Sequence, residues 1–299
     1  MQNGRAFSFF SQSQMPTFAM HLKTTLKYII VILTLSALFF SCDRFNKVLK
    51  SSDYDLKLAK ADEYYKKANY VKALQLYQEL ISVFKGSEKA EEVYYYFTYC
   101  NYYQNDFQLA QYHFKNFARQ FPNSKHTEEC YFMNAYCYYL SSPHYTLDQT
   151  DTKAAIKEFQ SFVDDYPESS RIDTCNILID KLRYKLENKD YDQLKQYFKL
   201  ADYFNDYKAA ISSCQNFLKE FPDSRYVDEV YFIMIESHYL LAIKSVQAKK
   251  KERLDKAIES YLKFVDLYPK SEYLAKAEGV YSSALQEKEN IIKKEKNGF

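Results

Sequence analysis

Five alanines set a spacing that constrains the whole chain: Ala73, Ala110, Ala155, Ala210 and Ala257 are each followed at +4, +7 and +11 by a core-type residue. The sets are Tyr77, Leu80 and Phe84; Phe114, Phe117 and Phe121; Phe159, Phe162 and Tyr166; Cys214, Phe217 and Phe221; and Tyr261, Phe264 and Tyr268. These offsets put every member of a set on one face of an α-helix. The small residue allows close approach of a partner helix, and the large ones fill the space on either side. At +12 stand Lys85, Pro122, Pro167, Pro222 and Pro269. A proline there ends the helix, because it forces the preceding residue out of the helical region. Two places later come Ser87, Ser124, Ser169, Ser224 and Ser271, each predicted to N-cap the next helix. With only four glycines and six prolines to make turns, long helices with short connections fit better than a sheet.

This alanine-to-proline interval resembles the tetratricopeptide repeat. The first helices agree in part: Ala61 with Tyr64 and Ala135 with Tyr138 fall where that family places a small residue and a tyrosine, while Thr98 and Asn101 replace them in the second unit. The predicted fold is therefore all-α, a tetratricopeptide-repeat solenoid of five hairpins over residues 54–271 with a capping helix and tail in 272–299. The intervals between alanines are uneven. The third hairpin gains a polar loop from Ser141 to Thr150, and the fifth a charged, solvated run from Gln247 to Arg253. In the fourth, no breaker interrupts Arg171 to Phe204. One long helix is the preferred reading there, with a break near Asn188 to Asp190 as the alternative.

The amino terminus reads as an address. Lys23 and Lys27 precede an apolar run from Tyr28 to Phe40, followed by Ser41 and Cys42. This run is too short to cross a bilayer comfortably, which takes about 20 residues, and fits a secretory signal. The segment resembles a bacterial lipoprotein signal, which implies lipidation of Cys42, a signal peptide over 1–41 and a tether over 42–53. Met20 is the expected start, since residues 1–19 add nothing a signal peptide needs.

The remaining composition argues for binding rather than chemistry. A net charge of +2, from 41 basic and 39 acidic residues, gives no broad field for nucleic acid. None of the cysteines Cys100, Cys130, Cys137, Cys175 and Cys214 forms a CxxC pair, and all are read as small core residues. The histidines lie in separate units, with no metal-ligand cluster and no glycine-rich phosphate loop. No catalytic residue, metal or cofactor is expected.

The whole plan resembles the BamD family of lipoproteins from the outer-membrane β-barrel assembly machine. The likeness rests on the lipoprotein cysteine, five hairpins and final helix, the third-hairpin loop and the long fourth-hairpin helix. It also rests on the stretches Tyr166 to Asp173, Lys181 to Leu186, Tyr207 to Ser212 and Phe217 to Ser224. It implies a lipid-anchored protein on the periplasmic side of the outer membrane. Its implied partners are the periplasmic domains of the core barrel subunit and unfolded outer-membrane clients. A carbohydrate-binding or general adaptor lipoprotein of the envelope is the alternative, although sugar sites usually stack on tryptophan and the chain has none. Tyr95, Tyr99 and Tyr102 in the second unit, and Phe132, Tyr136 and Tyr139 in the third, are spaced i, i+4, i+7 at matched offsets from the preceding serine. They form either packing stripes or a groove for an extended client peptide, since rigid aromatics give contact area at low entropic cost.

Overall fold

The register read from the five alanines is the register in which the chain packs. A computed structural model describes residues 45–296; Cys42 and the signal segment lie outside them. All five alanines are at most 1% exposed. The first hairpin pairs α1 (Tyr54–Lys66) with α2 (Tyr70–Val83), and the second pairs α3 (Ala90–Tyr103) with α4 (Phe107–Gln120). The third pairs α5 (Thr127–Ser141) with α6 (Thr150–Asp165), the fourth α7 (Ile172–Phe204) with α8 (Lys208–Glu220), and the fifth α9 (Val227–Ile243) with α10 (Gln247–Leu267). A final helix, α11 (Leu274–Lys296), packs on α9 and α10. The fold is an all-α tetratricopeptide-repeat solenoid. Its contacts cluster into two units, one ending at Thr127 and the other beginning at Glu128.

The prolines act as anticipated. Phe121, Tyr166, Phe221 and Tyr268 each precede a proline and share one helix-ending conformation, with φ between −124° and −132° and ψ of 60–63°. Phe84, followed by Lys85, stays near helical at φ −91° and ψ 8°. There the turn is made by Gly86 at φ 81°, a value glycine adopts without strain.

The serines do something other than cap. Each following helix begins three residues later, and Lys89, Arg171 and Tyr226 stand at the N-cap positions without a side-chain cap bond. Four of the hydroxyls accept a backbone N–H two residues on, as Ser124 does from His126 (3.0 Å). They thereby close a tight turn ahead of the helix. Three of them also donate to a glutamate on the first helix of their own hairpin: Ser124 to Glu91, Ser169 to Glu128 and Ser224 to Glu187, all at 2.6 Å. The serine of the previous turn lies four residues before Glu91 and Glu128 (91−87, 128−124) but eighteen before Glu187 (187−169). The insertion in α7 is therefore 14 residues, about four turns at roughly 3.6 residues each. That is why one unbroken helix of 33 residues keeps its packing phase.

Three hairpin turns share a device. Ala68, Asn105 and Asn205 adopt left-handed φ of 53°, 61° and 52°. In each case the next N–H reaches back five residues, from Asn69 to Tyr64, Asp106 to Asn101 and Asp206 to Ala201. Asn tolerates this region and Ala does not. Ala68→Asn should therefore stabilise the first hairpin by a few tenths to about 1 kcal/mol, read as a higher midpoint in urea. An unchanged or lower midpoint would refute the strain at Ala68.

In the fifth hairpin the charged run is helical, with Gln247, Ala248, Lys249 and Glu252 exposed and Lys250 and Lys251 partly covered by the terminal helix. Gln247 to Arg253 is the start of α10, held against α11 by Lys250–Glu287 (3.4 Å), Lys251–Glu295 (3.7 Å) and Lys288–Asp255 (2.5 Å). On α11 the buried residues Ala277, Ala284 and Ile291 recur every seventh position. The five cysteines from Cys100 to Cys214 are free and buried. Burial pushes the thiols of Cys100, Cys137 and Cys214 up to about 12, so they stay protonated and act as small apolar residues.

Candidate functional site

In the first unit the aromatic helix α3 presents rings in two directions. Tyr96 and Tyr103 reach back to the first hairpin, against Tyr65, Tyr77 and Tyr70. Tyr95, Tyr99 and Tyr102 turn toward α4. Tyr99 is 7% exposed and sets its ring edge-on to Phe114, with centroids 5.0 Å apart. Tyr102 meets Phe107 and Phe114, while Tyr95 meets Phe117 and stacks on His126 at 4.1 Å. Tyr95 and Tyr102 remain half-buried.

In the second unit α5 carries a different arrangement. Phe132 is 7% exposed and packs on Phe159 and Phe162 of α6, with the Arg171 guanidinium 4.8 Å from its ring centre. Tyr136 stacks on Phe132 (5.8 Å, 14°), and Tyr139 on Tyr136 (5.8 Å, 17°). The result is a ladder of near-parallel rings with its base in the core and its two tyrosines half-exposed. In both units the buried member anchors half-exposed neighbours.

Sequence reasoning missed the surfaces built on the long helix. Two lysines of α7 hold the third-hairpin loop: Lys185 Nζ donates to Ser142 Oγ (2.8 Å) and the Pro143 carbonyl (3.2 Å), and Lys189 Nζ to the Leu147 carbonyl (2.6 Å). Burial lowers the Lys185 pKa, a cost these acceptors offset. At the other end of α7, Tyr203 and Phe204 are 88% and 74% exposed. Between α7, α9 and α11 lies a groove of about 580 Å³, floored by Phe198, Phe232 and Tyr273. Three cations, Lys195, Lys199 and Lys276, are balanced there by Asp192, Glu229 and Glu236. The sequence signal was present, in Phe198 between two lysines of one helix face, but nothing in the chain order links it to Phe232 and Tyr273.

No group of three or more His, Cys, Asp or Glu side chains is placed to hold a metal ion among the described residues. No described helix is long and apolar enough to cross a membrane. His113, on α4, accepts or shares a hydrogen bond with Tyr94 (3.0 Å), and burial lowers its pKa.

A family model described as outer membrane lipoprotein, the YfiO family, matches residues 54–254 and again 203–288. The chain belongs to this family. The BamD-like resemblance read from the sequence and the tetratricopeptide fold agree with it. Among solved structures, the TPR2AB domain of yeast Sti1 in complex with an Hsp90 peptide is 12% identical over 78% of this chain and 98% of its own (TM-score 0.37). A tetratricopeptide protein of Thermus thermophilus is 15% identical over 78% and 99% (TM-score 0.31). The P58(IPK) tetratricopeptide domain is 12% identical over 87% and 68% (TM-score 0.37). No curated protein sequence matches significantly. Membership makes the chain an envelope lipoprotein of tetratricopeptide fold.

Proposed function

We propose that this protein is a lipid-anchored scaffold of outer-membrane β-barrel assembly, acting by binding and not by catalysis. Cys42 carries the lipid and anchors the array on the periplasmic side of the outer membrane; of the expected 42–53 tether, the part from Phe45 is already docked on the first hairpin, with Phe45 buried against Tyr64. The partners are the periplasmic domains of the core barrel subunit and unfolded outer-membrane clients. The observation that carries this reading is the family match, which spans the hairpins and most of α11. The half-exposed ring faces of Tyr95, Tyr102, Tyr136 and Tyr139 support client contact, with Tyr99 and Phe132 fixing them from beneath. Such rings recognise varied extended sequences through contact area rather than through a fixed hydrogen-bond code.

Affinity purification from detergent-solubilised envelope tests the reading directly. Recovery of a large barrel protein is expected; recovery of an oligosaccharide transporter instead would transfer the protein to carbohydrate uptake. Cys42→Ala should move the protein to the soluble fraction and abolish fatty-acid labelling, because multiple acyl chains are needed for firm anchoring. Unchanged labelling would sink the lipid assignment. For client contact, Tyr136→Ser with Tyr139→Ser should weaken binding of a barrel-protein tail peptide about ten-fold, with the melting temperature nearly unchanged. Normal affinity in a folded double variant removes these residues from the client surface.

A further inference from the structure

The second unit carries a second cleft, on the face opposite in chemistry to the balanced groove. It is about 860 Å³, walled by α8 and α10 and floored by α9. Lys208 and Lys219 stand on the α8 wall, and Lys249, Arg253, Lys256 and Lys263 on the α10 wall. The α10 cations fall at i, i+4, i+7 and i+14, one face of one helix. Against these six cations the cleft holds only Glu252 and Glu259, giving a local charge of +4 (6−2). The whole chain carries only +2, so everything outside the cleft sums to −2 (2−4). Positive charge is thus concentrated here and is not a general property of the surface.

These cations are poorly neutralised. Lys256 reaches Glu252 at 3.7 Å and Lys208 reaches Asp206 at 3.6 Å. Lys219, Lys249 and Lys263 are exposed and make no ion pair among the described residues. The α9 floor presents Tyr231, Met234 (7% exposed) and the half-buried Leu241 beside His238, and Ile211 adds a buried apolar side chain from the α8 wall.

We propose that this cleft binds an acidic peptide segment of a partner protein, its carboxylates on the two cationic walls and its apolar side chains on the α9 floor. Shape favours a peptide over a bilayer: a channel between two helical ridges admits a single chain, whereas a planar membrane would touch only the ridge tops. Length agrees. From Lys249 to Lys263 is 14 residues of helix, about 21 Å at roughly 1.5 Å per residue, which spans about six residues of extended chain. The neighbouring groove of α7, α9 and α11 has an apolar floor of the same kind but three cations against three anions, so charge alone separates the two ligands.

The test uses the full-length protein in detergent and a fluorescent peptide of alternating Asp or Glu and Leu. Binding should be measurable by anisotropy and should weaken with added salt. Lys219→Glu, Lys256→Glu and Lys263→Glu together should weaken it at least about ten-fold. All three side chains are exposed, so the melting curve should be preserved. A control triple reversal of Lys195, Lys199 and Lys276 in the balanced groove should leave peptide affinity within about two-fold. Equal loss in both triples would show non-specific attraction and overturn the proposal. So would unchanged affinity in the first triple. Phosphatidylglycerol vesicles provide the remaining arm: if the first triple abolishes vesicle binding but leaves peptide binding intact, the cleft serves an anionic membrane and the peptide assignment is wrong.

Discussion

Phe217→Ala should cost about 3–5 kcal/mol of unfolding free energy, a large part of the roughly 5–15 kcal/mol that holds a typical domain. Phe217 sits at +7 from Ala210 and is 1% exposed. Its ring lies 6.2 Å from Tyr191 of α7 and 5.2 Å from Phe221 at the end of its own helix. The cluster it belongs to also includes Leu194, Val230 and Phe264, drawn from α7, α9 and α10. Truncation would therefore remove transfer free energy and leave a cavity lined by four helices, whose fixed hairpins limit collapse. Ala210→Leu tests the same crossing from the other side. Ala210 is fully buried, and overpacking there should cost about 1–3 kcal/mol. Urea unfolding of both variants decides the matter. If either is as stable as the parent, the alanine register does not mark the closest helix approach.

The second helices were legible because two independent constraints coincide in them. Close approach demands a small residue at Ala110 or Ala257, and termination demands the proline twelve places on. The continuity of α7 was legible by the lack of any breaker between Arg171 and Phe204. The direction of the aromatic stripes was not. On α3 the rings at 95, 99 and 102 satisfy i, i+4, i+7 whether they face their own hairpin partner or a ligand, because the helix is aromatic on two sides. Only the neighbours decide it, and for Tyr99 the neighbour is Phe114. The serine turns were misread as caps for a related reason. Serine satisfies a backbone N–H two residues on as readily in a tight turn as at a helix start, and the chain chose the turn. The glutamate partners at 91, 128 and 187 could have been found, since two of them stand four places after a serine. The third is displaced by the inserted turns of α7. The cationic cleft was hidden because its walls are 30 or more residues apart in sequence, although the α10 stripe alone is regular. The charged run beginning at Gln247 is solvated over most of its length, and what the chain order could not show is that Lys250 and Lys251 pair with the terminal helix.

His238 should make the second unit acid-sensitive in a window of its own. It lies on α9, 8% exposed, where burial first and the Lys256 ammonium second push its pKa down to about 4 from an ordinary 6.5. Lys208 and Lys219 from α8 and Lys249, Arg253 and Lys263 from α10 line the same cleft, and Glu252 and Glu259 are its acidic groups. The folded protein thus holds the ring neutral while the unfolded chain protonates it near 6.5. The folded pKa is depressed, so the unfolded state binds the extra proton first. The contribution to stability is complete above pH 6.5 and is lost as pH falls from 6.5 toward 4. Its limit is about 3 kcal/mol, since 2.5 pKa units correspond to roughly 1.4 kcal/mol each. The lowered carboxylates Asp148 and Asp202 lose their contribution in the same direction but only below the ordinary carboxylate range. The Glu236 and Asp190 carboxyls, raised by partial desolvation, act in the opposite sense. The difference between parent and His238→Gln removes all of these common terms. Between pH 7 and pH 4 the parent should lose about 3 kcal/mol more than the variant, by urea midpoints at matched ionic strength. Parallel pH profiles would show that His238 is protonated in the folded state, and the buried neutral imidazole would have to be abandoned.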